Sequence, residues 1–178
     1  MSPTPLPARR HLAGLALAAA CGLLVACNKS PTVGTTVPDE RVNSSVELAG
    51  ARITVEQDGG LGGLHTIGAV YGQEPRFVTV TRRICSSQNP CALIDSASGP
   101  LTADAARRVF ERVAAEGFFS LREDYGITRG GADMITYTVT VEANGATKSV
   151  RADDGTMPPP LASVLNAFRV AVSAGRGQ

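Results

Sequence analysis

The chain has very little histidine, and this limits the chemistry it can carry. Of its two histidines, only His65 lies beyond residue 26. A Ser–His–Asp or Cys–His arrangement would therefore have to use His65. A lone histidine beside a glycine-rich segment is more typical of solvent-exposed surface than of catalysis. The sequence thus favours a protein that is not an enzyme.

The chain also lacks an excess of charge of either sign. Two of its 17 basic residues, Arg9 and Arg10, precede residue 27, which leaves 15 basic residues against 16 acidic ones. This balance shows no electrostatic footprint for nucleic acid. The glycine-rich segment lacks the Lys-Ser/Thr ending of a phosphate-binding loop and any dinucleotide fingerprint. Acidic residues are present in loops, but their spacing matches no EF-hand. No nucleic acid partner, metal or cofactor is therefore expected.

The N-terminal segment has the layout of an export signal. Arg9 and Arg10 are followed by an apolar run, Leu12–Val25, which is too short to be interpreted as a membrane-spanning helix. Leu24–Cys27 resembles a bacterial lipobox, so residues 1–26 are predicted to be a lipoprotein signal peptide and Cys27 the acylated first residue. The alternative is ordinary secretion, with cleavage near Ala26 and a free Cys27. Because no Asp follows Cys27, the outer membrane is favoured, on its periplasmic face or the surface.

Three cysteines remain after the signal, and two of them form a predicted pair. With Cys27 acylated, Cys85 and Cys91 would be left in an oxidising compartment, where a disulfide is expected. The chain-entropy model gives about 2–2.5 kcal/mol for so short a loop. A zinc site and a redox motif are weaker alternatives, since too few ligands are present and the spacing is not C-x-x-C.

Residues 27–50 are rich in Ser, Thr, Pro and small side chains, and they are predicted to form a flexible tether after the lipidated cysteine. Residues 51–174 then form a single domain, with no internal repeat. The remaining questions are which fold this domain has and what it binds.

Alternating apolar residues predict strands on both sides of a central helix. The clearest strand contains Ile135, Tyr137, Val139 and Val141. The dipeptide Asn144-Gly145 predicts a type I′ hairpin to a return strand. Three further strands are predicted before the central helix, in the segments 52–56, 67–71 and 77–81.

Two amphipathic helices complete the pattern. Thr102 is the predicted N-cap of the first helix, and Gly117 is its predicted C-terminal stop. Pro160 can occupy the first turn of the second helix. The resulting prediction is an α+β fold. It consists of a mixed or antiparallel sheet of about five strands and two helices, in the order β-β-β-α-β-β-α.

A glycine-rich segment between the first two strands is the candidate binding site. Four glycines flank Leu61, and the segment ends at Leu64 and His65. Such a segment is either a hairpin without function or a protruding recognition loop. The predicted partner-binding residues are Gly59, Gly60, Leu61, Gly62, Gly63, Leu64 and His65.

Short motifs along the domain resemble emfourin, a proteinaceous inhibitor of protealysin and related thermolysin-like metalloproteases. They comprise a strand with a glycine motif, a helix ending in Phe-Phe, an Ala-Asp-x-x-x-Tyr-x-x-x-Val strand and a Pro-x-x-Leu helix entry. These motifs are found in Ile53–Leu64, Phe118–Leu121, Ala132–Val141 and Pro158–Leu161. Two departures stand out, since Gln57-Asp58 replaces the basic residue before the glycines and a long segment carries Cys85 and Cys91.

This resemblance implies a binding protein that inhibits a thermolysin-like metalloprotease. Leu61 and Leu64 would meet the apolar substrate pocket of the enzyme, and His65 could add a contact to its zinc. The alternative is an envelope lipoprotein with a structural or assembly role and no protease partner. A related domain of bacterial lipoproteins has similar helix and strand motifs, so the fold transfers more safely than inhibition does.

Overall fold

A computed structural model describes residues 46–60, 63–83, 92–128 and 133–178. These residues belong to one compact unit, Thr36–Gln178. A second unit, Met1–Thr35, lies outside the described residues, as does Cys27. Cys85 and Cys91 also lie outside them, so acylation and the disulfide remain predictions.

The core of the fold is a six-stranded antiparallel sheet in the order β4-β3-β2-β1-β5-β6. The first four strands follow one another as a meander, and the last two pair on the other side of the first strand. The strand bounds are β1 Arg52–Gly59, β2 Leu64–Tyr71, β3 Arg76–Arg83, β4 Leu93–Pro100, β5 Ile135–Ala143 and β6 Ala146–Asp153.

The predicted α+β class is confirmed, and β4 adds one strand to the expected order. Its sequence, LIDSASGP, is mostly small and polar, so it shows no apolar alternation of its own. It is a strand because it pairs with β3, from Arg76 opposite Pro100 to Thr81 opposite Asp95. A shift of register between Thr81 and Arg82 further breaks its pattern.

Helix α1, Ala103–Ala115, begins and ends at the predicted residues. Thr102 is its N-cap, and the Thr102 hydroxyl accepts a hydrogen bond of 3.1 Å from the Ala105 N–H. Gly117 follows the helix with a left-handed φ of 59° and leads into a short 3₁₀ helix, Phe118–Ser120. The fully buried Phe118 fixes this end of α1 in the core.

Helix α2, Pro159–Arg176, has Pro159 and Pro160 in its first turn, as expected for residues whose missing N–H has no helical partner. Among the described residues, no helix is long and apolar enough to cross a membrane.

Both helices pack on one face of the sheet. Alternate residues of the central strands face them and are fully buried, among them Ile53, Val55, Val139 and Val141. At Gly68 a Cβ would lie 2.7 Å from the Phe168 ring, so the absence of a side chain lets α2 approach β2. No helix covers the opposite face within the described residues, and we call it the open face.

The hairpin between β5 and β6 has the predicted two-residue turn. Asn144 and Gly145 have φ values of 52° and 76°, which correspond to a type I′ turn. Two acidic side chains accept hydrogen bonds from main-chain N–H groups near the sheet. Asp124 accepts a hydrogen bond from the Gly126 N–H, and Asp154 accepts one from the Ile135 N–H, at 2.7 and 3.0 Å.

Candidate functional site

The glycine-rich segment is a short hairpin turn and not a long loop. Gly59 is the last residue of β1 and Leu64 the first of β2, so only residues 60–63 connect the strands. His65 lies within β2. Of the predicted partner-binding residues, Leu61 and Gly62 lie outside the described residues. The strands extend further than expected because Asp58 pairs with His65, and Gly59 with Leu64, in the sheet register.

Glycine is required at the start of this turn. Gly59 has a φ of 117°, and a Cβ there would lie 2.5 Å from the Met134 carbonyl oxygen. The turn is closed by a 3.0 Å hydrogen bond from the Gly63 N–H to the Gly60 carbonyl. The Gly60 N–H in turn donates to the Met134 carbonyl at 3.5 Å. The hairpin is therefore held against the segment that precedes β5.

His65 is engaged by its cross-strand neighbour on the open face. Its Nδ1 donates to the Asp58 carboxylate, and Arg82 lies opposite it on β3. The register places Asp58 between His65 and Thr136 of β5, but no hydrogen bond joins His65 to a hydroxyl or thiol in the described part of the chain. Among the described residues, no group of three or more His, Cys, Asp or Glu side chains could hold a metal ion.

The turn end of the sheet, defined by the β1–β2 turn and the strand ends beside it, exposes aliphatic side chains. Leu64 pairs with Arg83, whose N–H donates to the Ala92 carbonyl at 3.0 Å, so Leu93 and Ile94 lie beside this turn. The exposed fractions are 37% for Leu64, 56% for Leu93, 50% for Ile94 and 47% for Ile127. Leu64, Leu93 and Ile94 lie on the β2–β4 side of this end, whereas Ile127 adjoins β6 at the opposite edge of the sheet.

Sequence reasoning found Leu64 but missed the other three exposed residues. Leu93 and Ile94 lie in the unexpected strand β4, and Ile127 lies in a segment without periodicity. Adjacent apolar residues within a small, polar segment are the one signal that could have marked Leu93 and Ile94.

A buried carboxylate fixes the far side of the turn end. Asp153, at the end of β6, is fully buried and accepts hydrogen bonds from Thr128, Gly155 and Thr156. Burial opposes ionisation, but the hydrogen bonds from Thr128 and Thr156 outweigh it, and the pKa of Asp153 lies below its ordinary value. Asp153 thereby anchors the segment that carries Ile127.

Two concavities lie elsewhere on the domain. A groove of about 440 Å³ between α1 and α2 is lined by alanines, by Arg108 and Arg112, and by Val170. A polar cavity of about 420 Å³ at the other end of the sheet is lined by Arg52, Tyr71, Arg76 and Glu142 among others. Neither is lined by a histidine or cysteine, and the second brings Tyr71 together with Glu74 and Glu142.

Comparison with known proteins shows a similarity to one family. Residues 92–169 match the Emfourin family, which confirms the predicted resemblance. The match is to an inhibitor family and not a catalytic one. It covers less than half of the chain, from the start of β4 into α2, and begins after the β1–β2 turn. No curated protein and no solved structure matches the chain.

Proposed function

We propose that this chain, whose residues 92–169 match the Emfourin family, is a lipid-anchored envelope protein that inhibits a thermolysin-like metalloprotease. The family match is the observation that carries the proposal. It extends over α1, the first part of α2 and three of the strands, and it includes the exposed Leu93, Ile94 and Ile127.

The turn end is the proposed contact with the protease. Enzymes of this class accept bulky apolar residues beside the scissile bond, and Leu64 presents such a side chain next to a turn framed by glycines. Leu61 is the second apolar residue of the same segment. Because the Gly60 N–H donates to the Met134 carbonyl and Gly59 lies close to it, the start of the turn is positioned before binding.

A zinc contact from His65 is a weaker part of the proposal. The Nδ1–H of His65 is engaged by Asp58, which leaves Nε2 for an outside partner. Its position in β2, one residue beyond Leu64, sets it back from the turn. The apolar residues therefore carry the proposed contact.

Anchoring follows from Cys27 and the tether. Because Val46 and Leu48 pack against the domain core, the proposed tether is shortened to residues 28–45, and a random coil of that length would span about 23 Å on average. The chain enters the sheet at Arg52, whereas the turn lies at the other end of β1, roughly 23 Å away along the strand. An anchored domain could thus present its turn end away from the membrane.

Detergent partition tests the anchor. The wild-type protein should enter the detergent phase because several acyl chains hold it there. Cys27→Ser should prevent acylation and leave unprocessed precursor. Wild-type protein found wholly in the aqueous phase would contradict the anchor, and it would favour simple secretion.

Residual protease activity tests inhibition. The full chain, purified in detergent, should inhibit protealysin or thermolysin at micromolar excess. Leu64→Asp should weaken inhibition at least tenfold, because it places a charge in an apolar contact. Val170→Asp is the matched control, since Val170 is 60% exposed on α2, outside the turn end, and its inhibition should be unchanged.

Melting temperatures of both variants separate loss of binding from loss of folding. Equal inhibition by Leu64→Asp and wild type would move the contact away from the turn end. If the wild type inhibits no thermolysin-like enzyme, the structural or assembly role becomes the better interpretation.

A further inference from the structure

The two edge strands of the sheet differ in whether another segment of the chain pairs with their outer side. Along β6, Glu123–Tyr125 passes beside Arg151. The Tyr125 N–H donates to the Arg151 carbonyl at 2.9 Å, and the Arg151 N–H donates to the Glu123 carbonyl at 2.8 Å. This edge is therefore capped in its second half. At the opposite edge, no described segment pairs with the outer side of β4.

The register identifies which groups of β4 point outward. The Leu101 N–H donates to the Pro75 carbonyl at 2.8 Å. Because hydrogen-bonded pairs alternate along an antiparallel ladder, the main-chain groups of Gly99, Ala97 and Asp95 also point toward β3. The main-chain groups of Ser96 and Ser98 then point away from the sheet. Within the described residues, no hydrogen bond reaches these outward groups.

The free edge is short and rigid. The register shift at Thr81/Arg82 ends it on one side and Pro100 on the other, which leaves Asp95–Gly99 as a regular stretch. Arg176 of α2 donates to Asp95 at 2.9 Å and to the Thr79 hydroxyl at 2.6 Å. This contact holds the strand from the helix side and pairs its one charged residue.

We infer that β4 accepts an extended strand of the inhibited protease, which adds to the sheet as a seventh strand. The inference rests on the proposed inhibition. The fitting partner is an edge segment of about five residues, uncharged and without proline, that can exchange main-chain hydrogen bonds with Ser96 and Ser98. Small side chains along Ser96–Gly99 leave room for such a segment.

The location of the β4 edge beside the turn end favours the protease, and not a second copy of this chain, as the partner. Leu93 and Ile94 begin β4 at the turn end, so one partner could cover these two exposed residues and the edge together. Two copies paired through five residues of edge would bury less than the roughly 1,000 Å² expected of a stable interface. A dimer is therefore the competing outcome.

Ser96→Pro tests the inference on the full chain in detergent. Proline removes one outward N–H and no hydrogen bond to β3, and it is tolerated on sheet edges. We expect inhibition of protealysin or thermolysin to weaken at least tenfold with little change in melting temperature. Ser96→Ala keeps the main chain intact, and its inhibition should stay within threefold of wild type.

Amide hydrogen exchange provides a second measurement that needs no variant. Adding the protease should slow exchange at Ser96 and Ser98 at least tenfold, whereas Ala97, already bonded to β3, should change less. Unchanged exchange at both serines would overturn the inference while leaving inhibition standing. So would a folded Ser96→Pro that inhibits like wild type, or one whose only defect is loss of a dimer. A wild type that inhibits neither enzyme would overturn the proposed function and the inference with it.

Discussion

The two ends of the sheet show opposite chemistry. At the end where the chain enters, charged and aromatic groups pair within the domain, although the buried Arg52 Nε has no hydrogen-bond partner among the described residues. Arg52 donates to Glu142 at 2.5 Å, and the Arg76 guanidinium lies 4.5 Å from the centre of the Tyr71 ring. At the turn end, aliphatic side chains are left in water beside a constrained glycine turn. The first end pairs its charged groups within the domain, whereas burial of the aliphatic side chains at the second end by a partner would be favourable.

Substitution of Gly59 is expected to have the largest effect on stability, because Gly59 lies against the Met134 carbonyl at the start of the β1–β2 turn. Gly59→Ala should lower the free energy of unfolding by about 3 kcal/mol, since its φ is rare for an L residue and its Cβ would collide with the Met134 carbonyl. Gly60→Ala tests the cost of the backbone conformation alone, because φ is 74° there and the added Cβ would lie 3.9 Å from Ile135 Cγ1, an ordinary contact. Its cost should be about 1 kcal/mol. Chemical denaturation measures both.

Equal costs for the two variants would show that the Met134 contact does not constrain the turn. Arg52→Gln is the control at the opposite end. It removes a half-exposed ion pair, worth about 0–1 kcal/mol, and it should leave inhibition unchanged.

Asp153→Asn should have a smaller effect that depends on pH. The amide nitrogen would face the Thr128 N–H, which now donates to the carboxylate, so the melting temperature at pH 7 should fall by several degrees. The pKa of Asp153 is lower in the folded protein than the ordinary value of about 3.9. Its ionised form therefore stabilises the fold fully above that pH, and this stabilisation is lost as pH falls through the folded-state pKa.

Melting curves of wild type and Asp153→Asn should accordingly converge below about pH 4. A constant difference between the two proteins from pH 7 to pH 3 would show that ionisation of Asp153 does not stabilise the turn end.

The sequence predicted those elements that carry a recognisable pattern within their own residues. The alternation of Ile135–Val141 gave β5, Thr102 and Gly117 bounded α1, and Asn144-Gly145 formed the expected turn. β4 could not be predicted in this way, because its hydrogen bonds to β3 and not its composition make it a strand.

The candidate site was predicted only in part for the same reason. Leu64 could be identified beside the glycines, but its proximity to Leu93 follows from the register of three strands. The role of Asp153 depends on Thr128, which is 25 residues away in the chain. Contacts of this kind are set by packing across the sheet, which periodicity within one segment does not report.

The entry of the chain at Arg52, opposite the turn, has a consequence for how strongly an anchored inhibitor acts. With acylation at Cys27 as proposed, the domain would stay within a tether's length of the lipid surface and would be confined to a thin layer. Its effective concentration toward a protease held in the same layer would then depend on tether length and not on expression alone. Because the tether joins the domain at the end remote from the turn, its length could change without altering the contact. Reach and affinity would therefore be independent properties of this protein.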